Sequence, residues 1–116
     1  AYYYIGEVDL AIEQWKEALS INPGLTQVHS NLGVAYKAQG NHAWAIAELE
    51  EAIQIDPEDA DTNFDLAEIY QSQGNLPRAL DCYSRFAKLA PNDDGYYVKV
   101  AEERISRLRE QVLVLN

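Results

Sequence analysis

The chain has 116 residues, 47% apolar and 10% aromatic, which suits one small domain with a core and does not suit a disordered tail. Nine basic against nineteen acidic side chains leave a net charge of −10, so DNA, RNA and anionic membrane surfaces are not the expected partners. One cysteine can build neither an intrachain disulfide nor a zinc cage, no apolar run nears the roughly 20 residues of a spanning helix, and no signal-like segment is visible. A soluble chain without membrane insertion is expected; its compartment stays open, with the cytoplasm as the default.

Residues 1–25 carry Ala11, Ile12, Trp15 and Ala18 at helical spacing and read mostly as one helix closed by Pro23. Thr26 to Gln39 forms the next, with Val28, Leu32, Ala35 and Tyr36 on one stripe. Gly40-Asn41 breaks it, Gly by taking a left-handed conformation and Asn by capping the next helix. His42 to Ile55 turns Ala45, Ile46, Leu49, Ala52 and Ile53 inward and stops at Asp56-Pro57. Thr62 to Gln73, Gly74-Asn75 and Leu76 to Ala90 repeat the scheme, with Pro77 in a first turn where its missing N–H costs little. A last helix from about Asp94 to Leu115 is marked by Val98, Ala101, Ile105, Leu108, Val112 and Leu115, with Glu103 and Arg107 paired at i, i+4.

These elements keep one interval. Pro23, Pro57 and Pro91 are 34 residues apart, as are Gly6, Gly40 and Gly74, Tyr2, Tyr36 and Tyr70, and Ala11, Ala45 and Ala79. Small residues at Gly33, Ala45, Ala67 and Ala79 let two antiparallel helices approach, and Tyr36, Leu49, Tyr70 and Tyr83 fill the space beside them.

Interval and residues together resemble the tetratricopeptide repeat (TPR). The middle unit matches it at Leu32-Gly33, Tyr36, Ala45, Ala52 and Pro57, and the next at Leu66-Ala67, Tyr70, Ala79, Tyr83 and Pro91. His29 and Asn63 stand where the pattern favours tryptophan, and Phe86 where it favours alanine. The resemblance implies an all-α fold, a right-handed helix-turn-helix solenoid of antiparallel helix pairs. It would comprise a truncated first unit at 1–25, units at 26–59 and 60–93, and a capping helix at 94–116, in one domain.

Function is expected from the same resemblance: a protein–protein interaction scaffold that holds a partner's peptide or helix in a concave, partly acidic groove. First helices line that groove in the family. The matching positions here are Tyr3; Gln27, Ser30, Asn31, Val34 and Lys37; Asp61, Phe64, Asp65, Glu68 and Gln71; and Lys99 and Glu102. One subclass clamps a peptide's terminal carboxylate with cations and asparagines. Ser30 and Val34 fill the middle unit's clamp slots and Asp61 and Asp65 replace cations in the next, so that ligand is not expected. Residues 37–77 carry a net charge of −8. Asp61, Asp65 and Glu68 share a helix face beside Phe64, which suggests a basic or amphipathic segment anchored on Phe64, whereas Glu48, Glu50 and Glu51 are expected in solvent. Trp44 is expected on the outer face of its helix. A different function also fits: a structural or assembly subunit, or self-association, held through end faces at Trp15 and at Val112, Leu113 and Leu115.

No arrangement for catalysis emerges, and neither cofactor nor metal is expected. No Gly-rich phosphate loop is present, and Cys82 has no histidine near it in sequence. His29 and His42 fall near opposite ends of a helix pair, too far apart to share a metal. Asp59-Ala60-Asp61-Thr62-Asn63 opens like a calcium loop, but Phe64 replaces the required Gly and Tyr70 the bidentate Glu. Titration with calcium, zinc or a nucleotide should therefore give no stoichiometric heat at micromolar concentration, and calorimetry checks this.

Overall fold

The computed structural model describes the backbone of residues 2–90 and 95–115 and the side chains of 7–90 and 95–113. The described residues form six helices, in chain order α1 (Tyr2–Ile21), α2 (Thr26–Ala38), α3 (His42–Ile55), α4 (Ala60–Ser72), α5 (Leu76–Leu89) and α6 (Tyr96–Leu115). No strand occurs among the described residues. The chain forms two compact units, residues 1–57 and 58–116, each described in its own right. Tyr3, Pro91 and Leu115 lie outside the described side chains.

The helix ends are set by local chemistry. Gly40 and Gly74 both adopt φ +79°, the region where a Cβ is strained. At each, two backbone bonds close the helix: Gly40 N–H to Lys37 O and Asn41 N–H to Tyr36 O, then Gly74 N–H to Gln71 O and Asn75 N–H to Tyr70 O, at 2.9–3.0 Å. This pairing satisfies carbonyls that would otherwise be orphaned. Asn41 and Asn75 occupy the N-cap positions of α3 and α5 but make no side-chain cap bond, contrary to expectation, because their ψ near 75° is not the extended cap conformation. Asp59 does cap α4, accepting from Thr62 N–H at 3.4 Å and from its hydroxyl at 2.9 Å. The calcium-like opening is thus a helix cap.

In the first unit α2 packs on α3, and α1 lies against α2. Leu32, Tyr36, Ala45, Leu49 and Ala52 form the core with Ile12. Gly33 sets the α2–α3 separation: a Cβ there would run into the Leu49 side chain and stand 3.3 Å from the Ala45 carbonyl. In the second unit α5 is held between α4 and α6. Leu66, Ala67, Ile69 and Tyr70 of α4 meet Ala79, Cys82, Tyr83 and Phe86 of α5, and α6 adds Ala101 and Leu108.

Helix α1 differs from the turns at Gly40 and Gly74, since it continues as helix through Gly6. The register nevertheless holds: Ala11 stands where Ala45 and Ala79 stand, and Trp15 where Leu49 and Tyr83 stand.

Gly33→Leu should lower stability by roughly 1–3 kcal/mol or more, because the side chain has nowhere to go without separating α2 from α3. Thermal unfolding followed by circular dichroism checks this; wild-type melting would show that the helices do not touch there.

Candidate functional site

An open, largely apolar concavity of the first unit lies between α1 and α2. Val8, Ala11 and Trp15 line it from α1, and Asn31, Val34 and Ala38 from α2, around an open cleft of about 500 Å³. Val34 is 45% exposed. Asn31 accepts a hydrogen bond from Gln27 at 3.0 Å, which holds both amides along one edge of α2. Glu7 is the charged group on the wall.

A second, wider cleft in this unit is walled by Ile12, Lys16, Tyr36 and Trp44. Trp44 is 59% exposed, as expected from its phase, yet its ring meets Tyr36 edge-on at 5.3 Å. The Lys16 ammonium sits about 6 Å from both ring centroids, a cation–π arrangement.

His29 is buried between two acceptors. Nδ1 is 2.7 Å from a Glu48 carboxylate oxygen and Nε2 is 2.8 Å from the Pro23 carbonyl. A carboxylate and a carbonyl both accept, so the imidazolium, with a proton on each ring nitrogen, makes both hydrogen bonds at once. Burial by itself lowers the His29 pKa, but the hydrogen bonds to Glu48 and Pro23, with the charges of Glu48 and Glu51, outweigh it and raise the value above the ordinary one. Glu48 is thereby corrected: it does not simply face solvent but anchors α3 to the start of α2.

In the second unit Tyr83 is fully buried, and its hydroxyl donates to Gln71 at 2.8 Å while accepting from Arg104 at 2.7 Å. Burial pushes the Tyr83 phenol up, and Arg104 pulls against it. Arg104 also reaches Glu68 at 3.3 Å, and its guanidinium lies over the Phe64 and Tyr83 rings. Burial would lower the Arg104 pKa, but Tyr83 and Glu68 raise it, so the charge is held in place.

This network revises the groove positions expected on α4. Phe64 is 7% exposed and is no surface anchor. Tyr83, Phe86 and Tyr97 surround it edge-on with ring centroids 4.9–5.6 Å from its own, so α6 covers the face the repeat alone would have left open. Gln71 and Glu68 are engaged inside the unit by Tyr83 and Arg104. Ser30 is likewise buried. Gln27, Val34, Asp61, Lys99 and Glu102 are exposed; Asn31, Lys37 and Asp65 are partly exposed. Of the end-face residues, Trp15 and Val112 are partly exposed and Leu113 is 74% exposed. Sequence reasoning missed the His29–Glu48 pair. The two residues are 19 apart and only the helix hairpin joins them, so the available signal was a histidine in the slot where the repeat favours tryptophan.

Cys82, the single cysteine of the chain, is buried. Among the described residues no three or more His, Cys, Asp or Glu side chains are placed to hold a metal ion, and no helix is long and apolar enough to cross a membrane.

Comparison with known proteins agrees with this architecture. A tetratricopeptide repeat model matches residues 37–103, and a TPR repeat model matches residues 1–40. The chain belongs to the tetratricopeptide repeat family, and its fold is the all-α TPR fold. No curated protein matches it in sequence. Among solved structures, the Sgt2 TPR domain from Aspergillus fumigatus is 25% identical with a TM-score of 0.80, over 95% of this chain and 73% of that one. The Yersinia enterocolitica type III secretion chaperone SycD, in complex with a peptide of the translocator YopD, is 16% identical with a TM-score of 0.84, over 94% and 85%. The first TPR of Spaghetti, bound to an HSP90 peptide, is 18% identical with a TM-score of 0.80, over 97% and 85%.

A raised His29 pKa stabilises the fold fully below about pH 6.5, and that contribution is lost as pH rises through the folded value. The stability difference between wild type and His29→Gln should therefore be larger at pH 5.5 than at pH 8.5, and Glu48→Gln should flatten the wild-type dependence. Unfolding midpoints at the two pH values check this; a pH-independent difference would mean a neutral His29.

Proposed function

We propose that this chain is a protein–protein interaction scaffold, and that the α1–α2 cleft of its first unit receives a peptide or helix of a partner protein. One observation carries the reading: Val8, Ala11, Trp15, Val34 and Ala38 keep an apolar wall open to solvent instead of closing it into the core. An open apolar concavity edged by the oriented amides of Gln27 and Asn31 is suited to holding an apolar side chain and fixing a polar backbone. SycD holds a YopD peptide and the Spaghetti repeat an HSP90 peptide, which supports peptide binding as the kind of task. The peptide in the Spaghetti complex, SRMEEVD, is acidic. A net charge of −10, and Glu7 on the cleft wall, instead favour a basic or amphipathic partner here. The role is not catalytic.

Leu113, exposed beside Val112 near the tip of α6, favours a second reading: a fixed assembly subunit held through that end. Peptides selected by display against the chain separate the two. With binding in the cleft, Val34→Asp should weaken a selected peptide at least tenfold without changing the melting midpoint, and truncation after Arg109 should not. The reverse pattern would favour the end face.

A further inference from the structure

The wider cleft of the first unit, about 960 Å³ beside the Tyr36–Trp44 pair, has a chemistry of its own. Its α1 wall is the face that carries Asp9, Ile12 and Lys16, three and four residues apart, and not the face of Ala11 and Trp15. The 34-residue register makes this aromatic pair stand out. One interval on, Tyr36 and Trp44 correspond to Tyr70 and Arg78. The Arg78 guanidinium lies 5.7 Å from the Tyr70 ring centroid and donates to its hydroxyl at 3.4 Å. The second unit thus supplies a cation to its tyrosine from the position where the first carries tryptophan. In the first unit the cation comes from another helix: the Lys16 ammonium reaches across from α1 to 6.0 Å from the Tyr36 centroid and 5.9 Å from that of Trp44. Lys16 is exposed, and its counterparts in the register are Glu50 and Ser84, so the repeat itself does not require a cation at this place.

We propose that this cleft recognises an arginine side chain of a partner protein, and that Lys16 is an internal stand-in which the arginine displaces. Aromatic ring faces attract a cation, and Trp44 offers an exposed one. The planar guanidinium stacks on such a face and is less strongly hydrated than an ammonium, so exchanging Lys16 for arginine favours the arginine. Carboxylates outnumber cations around the pair. Asp9 and Glu13 line the cleft with Lys16, and Glu48 borders the adjoining hollow formed by Lys16, Tyr36 and Trp44. Asp9 already accepts from Gln39 at 2.8 Å, and Glu48 is held by His29 at 2.7 Å, which leaves Glu13 to pair with the incoming guanidinium. An arginine set in a basic segment also complements the net charge of −10.

The probe is the capped peptide acetyl-Gly-Gly-Arg-Gly-Gly-amide, titrated into the isotopically labelled full chain. NMR follows the Trp44 indole N–H and the backbone amide of Asn41, which lines the same cleft. Expected is a saturable shift of both, with the indole of Trp15, in the other cleft, unmoved. The lysine analogue of the peptide should bind about threefold more weakly. Lys16→Met removes the stand-in and should tighten arginine-peptide binding about threefold, whereas Glu13→Gln should weaken it to a similar degree. Both substituted side chains are exposed, so the melting midpoint should stay that of wild type in each. Trp44→Leu, read at Asn41, should abolish the shift. No saturable shift at tens of millimolar peptide overturns the proposal. So does equal binding of the arginine and lysine peptides, or a Lys16→Met chain that binds no more tightly than wild type. A shift confined to the Trp15 indole moves the arginine to the other cleft and also overturns it. Val34 lines that other cleft and not this one, so Val34→Asp should leave the arginine peptide's affinity unchanged, and the two readings stand or fall separately.

Discussion

The close approach of two helices is the constraint on which the rest depends. At Gly33 the backbone of α2 comes so near α3 that even a methyl group would collide with Leu49. Dispersion between close-packed atoms falls off steeply with separation, so an interior wins its contacts only where small residues allow the approach. Ala45, Ala52, Ala67 and Ala79 are fully buried for the same reason. Large residues then fill the remaining space, Leu49 in one unit and Tyr83 in the other. The 34-residue interval is the sequence record of that contact, repeated.

Polar groups inside such a contact need partners, and each unit supplies them differently and not completely, since Asn63 Oδ1 is buried without one. The first sets the two ring nitrogens of His29 against Glu48 and the Pro23 carbonyl. The second places Asn63 at the corresponding position, where its amide donates to the Asp59 carbonyl at 3.0 Å. Tyr83 brings a hydroxyl into the core together with its ring, and Gln71 and Arg104 satisfy it. Burying a hydroxyl without such partners costs about 1–3 kcal/mol. The tryptophan the repeat favours at the position of His29 and Asn63 would fill space; these residues instead tie the helix to the chain just before it.

The helices and their register were legible because they rest on local signals: glycines at φ +79°, prolines after helix ends, and an apolar stripe with helical period. His42–Ile55 was placed to the residue. The face of a helix that another helix covers was not legible. Phe64 looks free when α4 is set against α5 alone, but Tyr97 of α6 and Phe86 of α5 close over it. Glu48 looks solvated until the hairpin brings His29 beside it. Both errors share a cause: a sequence stripe describes one helix at a time, and side-chain environment is decided by the helices packed against it. Asp61 and Val34 kept their exposed positions because nothing in their own unit covers them.

That dependence on neighbours also governs which apolar side chains stay exposed. A repeat unit buries one face against the unit before it and one against the unit after it, so helices at the end of a series keep apolar residues that have no internal use. Trp15 and Leu49 occupy the same register position, yet one is partly exposed and the other fully buried. The difference between them is not composition but the presence of a covering helix. An apolar seat whose shape and spacing are already set by the repeat has little order left to impose on itself when a ligand arrives, and pre-organisation of that kind reduces what association must overcome.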